Sequence, residues 1–487
     1  MLTSSGSPVE LSRRRRVGVL LICSMSLLIV SLDVTIVNVA LPAIGHQFHS
    51  RLSGLQWTVD AYTLVLASLL MLSGSTADRL GRRRTFVLGL GIFTLGSLLC
   101  SVAPSLTLLV VFRMLQAVGG SMLNPVAMSI VTNTFHDPRE RAQAIGVWAS
   151  VVGLAMALGP VVGGVLVSSV GWSSIFWINV PIGLAAIVLT LRFVPESRAP
   201  VARRIDGVGQ ALVIVIMSCV TYAIIEAPNR GWGSPIIWGP LALSGSSLIA
   251  FLRWERRRHE PLVDLRFFRS LPFAAATLAA VAAFASLGGF LFLNTLYLQD
   301  VRGLSALGAG VDTLPMAAMT LLIPPLSGRI VGRRGSRLPL MVAGTAIMAS
   351  CLLLTRLTST TPFSLLFVAY VVFGVGFGFV NAPITHAAVS GMPRAQAGVA
   401  SAVASTSRQT GQTLGVAVTG VLVASSLRGA GHGAFAAASH AGWWVIAGCG
   451  ATILLLGFVS TTPFAHASAR RTAEALNPEF LVGLREG

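Results

Sequence analysis

Long apolar stretches run through this chain, broken at intervals by arginines, prolines and glycines. Fourteen of them are candidate spans: 17–42, 55–77, 84–103, 105–132, 143–168, 173–194, 206–226, 235–253, 272–298, 305–331, 337–356, 361–390, 398–426 and 440–462. As a helix, roughly 20 apolar residues cross a hydrocarbon layer of about 30 Å. No alternating strand pattern competes, and a helix satisfies its own backbone inside lipid. The pattern predicts an all-α polytopic membrane protein. The first run is too long for the core of a signal peptide and is expected to remain as a helix.

Composition strengthens this reading. The 487 residues are 54% hydrophobic and only 11% charged, about half the charge of a soluble domain. The five cysteines are scattered, with no CxxC and no histidine neighbours. That pattern excludes a disulfide framework or a zinc site and suits small packing residues. There is no HExxH and no Walker-type loop, and GLGIF at 89–93 lies inside a span and is no nucleotide site. ATP drive, metalloprotease chemistry and other enzyme classes have no support, and no cofactor is implied.

Charge then sets orientation. All 35 basic residues are arginine. With the N-terminus and its Arg13–Arg16 run placed in the cytoplasm, only Arg51, Arg230, Arg302, Arg356 and Arg428 fall in outer loops. Arg113 and Arg408 fall within spans, and the other twenty-eight lie on the cytoplasmic side. This asymmetry predicts that both termini are cytoplasmic. The net charge of +18 is therefore a topology signal, with attraction to anionic lipid as a by-product and no nucleic-acid partner.

The chain also repeats itself. RAQA occurs at Arg141–Ala144 and at Arg394–Ala397, and GSTADRLGRR (74–83) resembles GRIVGRRGSR (328–337). The two offsets agree to one residue, which argues for duplicated halves in the same orientation. The expected plan is a tail (1–16), a six-helix bundle (17–194), a linker region with two extra spans (195–271), a second six-helix bundle (272–462) and a C-terminal tail (463–487). Parallel halves with a site between them are a secondary-transporter design.

Two charges stand deep within spans. Asp33 lies nine residues before Pro42, where span 1 reaches the outer surface, and Arg113 lies nine residues after Pro104, where span 4 leaves it. At 1.5 Å per residue both sit roughly 13 Å below that surface. A carboxylate inside the membrane costs at least ~2.5 kcal/mol unless it is paired or wetted. Equal depth makes Arg113 the candidate partner. Two readings stand: a static pair that fixes helix packing, or a switch in which Asp33 gains and loses a proton. Guanidinium hardly deprotonates, so Arg113 would tune the acid, with Gln116 one turn away as a hydrogen-bond relay.

Several motifs carry a family resemblance. GSTADRLGRRR (74–84) resembles the cytoplasmic-loop signature of the major facilitator superfamily. RMLQAVGG (113–120) and GLAMALGPVVGG (153–164) resemble its fourth-helix motif and the fifth-helix motif of its exporters. LDVTIVNVALP (32–42), WSSIFWINVPIG (172–183) and the fourteen spans are similar to the drug:proton antiporters of the EmrB/QacA type. There are departures: Gly332 stands in the second loop where the first has Asp78, and Ala117 stands where glycine is commoner.

The resemblance implies a major facilitator fold of two six-helix bundles plus two central helices. It further implies a proton-driven exporter of amphipathic drugs or antibiotics in the bacterial cell membrane, acting as a monomer, with helices 1 and 4 lining the central cavity. A dedicated exporter or uptake porter of one metabolite is the alternative. Asp78, with Arg79, Gly81 and Arg82, would form a cytoplasmic gate in which Asp78 caps a helix N-terminus. Gly153, Gly159, Pro160, Gly163 and Gly164 give span 5 a small-residue face, read either as close packing or as a hinge against the second half. Asp312, Arg408, Asn294 and Asn381 are candidates for a substrate cavity. Asp60, Glu226 and Asp312 lie near the outer ends of their spans and are read as snorkelling to water or, Asp312 foremost, as serving substrate or proton; Phe284, Phe290, Phe292 and Tyr297 are read as core, lipid-facing or part of an apolar drug pocket.

Overall fold

The computed structural model describes residues 12–135, 137–198, 206–258, 261–389, 397–427 and 435–476. Among these, fourteen helical segments are long and apolar enough to cross a membrane. The first half comprises α1 (Arg13–Phe48), α2 (Leu52–Leu80), α3 (Arg82–Ser101), α4 (Leu106–Thr134), α5 (Pro138–Ser169) and α6 (Ser174–Phe193). Two additional helices follow, α7 (Gly207–Arg230) and α8 (Pro235–Glu255). The second half comprises α9 (Leu271–Val301), α10 (Leu314–Arg334), α11 (Arg337–Leu354), α12 (Phe363–Val389), α13 (Ala397–Leu427) and α14 (Phe435–Val459). An even number of spans leaves α1 beginning and α14 ending on one face, here termed the terminal face. The second RAQA copy falls at its Arg394–Gln396 outside the described residues, as does Arg428.

Prolines shape the segments that matter most. Pro181 has no N–H to give the Trp177 carbonyl, and α6 breaks beside that point, at Ile178. The break sets Asn179 at a kink facing the first-half core. Pro324 and Pro325 interrupt α10 in the same way at Ile323.

The halves are joined away from the terminal face. Gln299 Nε2 donates to the Val39 carbonyl (2.9 Å), and Thr413 Oγ1 bonds Thr63 Oγ1 (2.8 Å). Gln56 Nε2 reaches the carbonyls of Val416 (3.2 Å) and Ala417 (2.9 Å). The glycines of α5 track how the seam between the halves opens. A methyl on Gly164 would lie 2.6 Å from Leu307 Cα, and one on Gly153 3.2 Å from the Leu321 side chain, whereas one on Gly146 would meet nothing within 4 Å. Helices α5 and α10 thus touch down to Leu321, and the proline break in α10 follows two residues later. Toward the terminal face they part.

Candidate functional site

The centre of the first half is polar. Asp33 and Arg113 are fully buried, at 0% and 1% exposure. Arg113 Nη1 donates to Asp33 Oδ2 and to Gln116 Oε1 (2.8 Å), and its Nε donates to the Thr58 carbonyl (3.3 Å). The other carboxylate oxygen, Oδ1, accepts from Gln116 Nε2 (2.9 Å) and Asn179 Nδ2 (3.3 Å). Both amides also donate to Ser97 Oγ, at 3.2 and 3.0 Å, and the Ser97 hydroxyl donates to the Phe176 carbonyl (3.0 Å). The guanidinium lies 4.1 Å from the centroid of the Tyr62 ring, a cation–π contact that desolvation strengthens. Four helices therefore converge on one carboxylate: α1 supplies it, α4 its charge partner and one amide, α6 the second amide, and α3 the hydroxyl behind both.

This arrangement is a hydrogen-bonded ion pair in a fully buried site. Removing either charge would leave the other buried alone, at a cost of roughly 3–5 kcal/mol.

The gate residues Asp78 and Arg82 meet directly. Asp78 Oδ1 pairs with Arg82 Nη2 at 3.4 Å, four residues along. The N-terminus of α3 is held by Glu196, whose oxygens accept from the backbone N–H of Arg83 (3.1 Å) and Arg84 (3.3 Å). Gly81, at φ +108°, sits under that carboxylate, and a methyl there would come within 2.6 Å of Glu196 Oε1. Arg79 is exposed at the end of α2.

In the small-residue face of α5, Gly159 and Gly163 receive Thr35 and Ile36 of α1, and Gly164 faces Leu307. The Pro160 carbonyl would be 2.2 Å from a methyl on Gly310. The motif thus packs against both α1 and the segment leading into α10.

The four residues proposed for a substrate cavity are dispersed. Asn294 is buried and accepts from Tyr370 Oη (2.5 Å) inside the second half. Asp312 ends a short helix (Ala306–Asp312) away from the terminal face. Arg408 donates to the exposed Thr385 (2.6 Å) on the terminal side, where Asn381 is half-buried. Of the outer acids, Glu226 accepts from Trp57 Nε1 (3.0 Å). Asp60 does not snorkel: it is fully buried, because α2 begins at Leu52 and turns the Asp60 face onto α13. Phe290, Phe292 and Tyr297 are core, with Phe290 stacked on Phe373 at 4.1 Å.

Sequence reasoning missed Asn179, Ser97 and Glu196. The one available signal was Asn179, an amide two residues before a proline within an apolar run.

Two joined helical halves of like topology are the architecture of a secondary transporter. Residues 23–416 match the model of the Major Facilitator Superfamily, and the chain belongs to that superfamily. It is 37% identical over 418 residues to the multidrug resistance protein Stp of Mycobacterium tuberculosis, covering 85% of this chain and 77% of that one. It is 38% identical over 421 residues to the tetracenomycin C resistance and export protein of Streptomyces glaucescens, covering 86% and 78%. Among solved structures it is similar to an inward-facing, unoccupied bacterial homolog of the human lysosomal transporter Spinster. That match has a TM-score of 0.63 at 19% identity and covers 95% of this chain and 98% of the other; it speaks to the fold alone.

Proposed function

We propose that the protein is a proton-driven antiporter that exports amphipathic drugs or antibiotics across the cell membrane. It would work as a monomer in lipid, with both termini in the cytoplasm, where the arginine-rich loops belong. The observation that carries the proton coupling is the Asp33–Arg113 pair, an ionisable acid fully buried within a span. The relatives named for multidrug resistance and for antibiotic export support the choice of substrate.

On this reading the described conformation is closed outside and open inside. The drug enters between the halves from the terminal side, near Arg408 and Asn381. When the halves rock, the outer seam parts and Asp33 separates from Arg113, is wetted and takes up a proton. Closing the outer side carries the proton inward, and re-forming the ion pair expels it. Asp78 acts in the cycle by engaging a helix N-terminus when the cytoplasmic side closes, leaving its present partner Arg82.

The test is drug accumulation in cells with and without the protein, with and without a protonophore. Lower accumulation that the protonophore reverses supports the proposal. Unchanged accumulation across several drug classes favours a dedicated metabolite porter.

A further inference from the structure

Gly374, Gly378, Asn381 and Thr385 recur at i, i+4, i+7 and i+11, so they share one face of α12. In the outer half of the helix α10 covers that face. A methyl on Gly374 would strike the Met316 carbonyl, and one on Gly378 would lie 2.7 Å from Ile323 Cβ. After Pro324 and Pro325 the lower part of α10 shifts to another face of α12, where Ser327 Oγ donates to the Phe379 carbonyl (2.9 Å). The shared face then loses its cover: Asn381 is half-buried and Thr385 is exposed.

Arg408 of α13 reaches into this opening. It lies eleven residues into its helix, roughly 16 Å along the axis from the terminal-face end. Its Nη2 donates to Thr385 Oγ1 (2.6 Å), and its Nε is buried with no partner among the described residues. A guanidinium carries five N–H donors and keeps its charge, so most of this donor set is unspent within the protein.

No described carboxylate offsets that charge. Asp33 is bound to Arg113 in the other half. At the terminal face Asp78 pairs with Arg82 and Glu140 with Arg16. Glu226 accepts from Trp57 near the outer end of α7. A cation within a span and without a counter-ion is costly, and such groups mark the path of a substrate or an ion.

We infer that Arg408, with Thr385 and Asn381, anchors an anionic group, so that the preferred cargo is an amphipathic anion: a carboxylate or phenolate on an apolar body. The planar fork of arginine matches a carboxylate through two parallel hydrogen bonds, and the Thr385 hydroxyl and Asn381 amide add neutral donors beside it. This rests on the transport reading proposed above and narrows its substrate class. Export of an anion and import of a proton move charge in the same sense, so an inside-negative membrane potential drives both.

The test uses three pyrene amphiphiles that share one apolar body: pyrenebutyrate, its neutral methyl ester and the cationic (4-pyrenylbutyl)trimethylammonium. Binding to the purified full chain in an uncharged detergent at neutral pH is read by energy transfer from the protein's tryptophans. The expected result is at least tenfold higher affinity for the anion than for the ester, with the cation weakest. Arg408→Gln should bring the anion-to-ester ratio within twofold of one, and Arg408→Lys, which keeps the charge, should hold it at threefold or more. The wild-type ratio needs no variant, so the test stands even if Arg408→Gln misfolds. Equal wild-type affinities for anion and ester overturn the assignment, as does an anion preference that survives intact in folded Arg408→Gln.

Vesicle transport separates this inference from the antiporter proposal. Wild-type protein that moves ethidium, a cation, under an imposed pH gradient yet shows no preference for pyrenebutyrate overturns the anion anchor and leaves antiport standing. Protein that prefers pyrenebutyrate through Arg408 yet moves none of the probes under the gradient supports the anchor and overturns antiport.

Discussion

The centres of the two halves use the same geometry for opposite chemistry. In the first half, Asp33 meets Arg113 and Gln116, at separations of 80 and 83 residues along the chain. In the second half, Phe290 meets Tyr370 and Phe373 at the same two separations. Helices α1 and α9 begin 258 residues apart and α4 and α12 begin 257 apart, so the aromatic trio occupies the duplicated positions of the polar one. Phe290 stacks on Phe373 at 4.1 Å and lies edge-on to Tyr370 and Trp443, at 5.7 and 5.5 Å.

An aromatic cluster is stabilised by area and shape, and a proton or an electric field barely affects it. An ion pair in the same slot is a poor structural element, since a hydrophobic replacement of similar volume often does as well or better. A duplicated scaffold that keeps the costly version in one half and the inexpensive one in the other points to a task for the charges beyond holding helices together. On the proposed mechanism, coupling belongs to the first half and rigidity to the second.

The largest effect expected is from Arg113→Ala. It strands Asp33 in the buried centre, and we expect about 3–5 kcal/mol loss of stability together with complete loss of transport. Thermal unfolding in detergent and vesicle transport check the two parts. Phe290→Ala should cost a similar ~3–5 kcal/mol through cavity formation, yet the protein that remains folded should still respond to a pH gradient. Equal loss of gradient response per folded molecule in both variants would break the comparison.

Arg113→Lys comes next. It keeps the charge and loses the planar fork that reaches Asp33, Gln116 and the Thr58 carbonyl together. Stability should change by less than in the alanine variant, while transport falls tenfold or more in the vesicle assay.

Asn179→Ala removes one of the two amides on Asp33 Oδ1 and should cost about 1–2 kcal/mol. Transport should slow several-fold, and Asn179→Ser should recover only part of it. If the alanine variant transports at the wild-type rate, Asn179 belongs to packing alone.

The ionic centre was partly legible in the sequence, and the reason is physical. A charge in an apolar run cannot be incidental, so Asp33 and Arg113 declared themselves, and the 1.5 Å rise placed them at one depth. Asn179 carries no charge, and its role depends on the α6 break at Ile178, which brings it to Asp33 from 146 residues away. The Phe290 cluster was equally hidden, because aromatic residues in a span are ordinary and only the contact geometry pairs them with the first-half trio. Asp60 was misplaced by a boundary: a span beginning at 55 leaves it near water, but α2 begins at Leu52 and α13 covers that face. Glu196 lies in the irregular segment after α6, where no periodicity marks a partner for the N-terminus of α3.

The smallest effect expected concerns the terminal-face loops, where the halves differ by one acid, Asp78 against Gly332. An acid near a helix N-terminus is worth a few tenths to ~1 kcal/mol, enough to tilt an equilibrium between states a few kcal/mol apart. Asp78→Asn should therefore slow the cycle modestly while leaving drug binding intact. Cysteine pairs across the mouth at the terminal face should crosslink less in Asp78→Asn than in wild type. Equal crosslinking with equal transport would reduce Asp78 to an ordinary loop charge.

The central claim is that the ion pair couples proton movement to transport, and Asp33→Asn tests it most directly. The amide fits the same space and can still accept from Arg113, but it cannot titrate. Purified Asp33→Asn in sealed vesicles, with an imposed pH gradient and a drug substrate of the wild-type protein, should show no gradient-driven transport while still binding the drug. Gradient-driven transport at the wild-type rate in that variant would contradict the account.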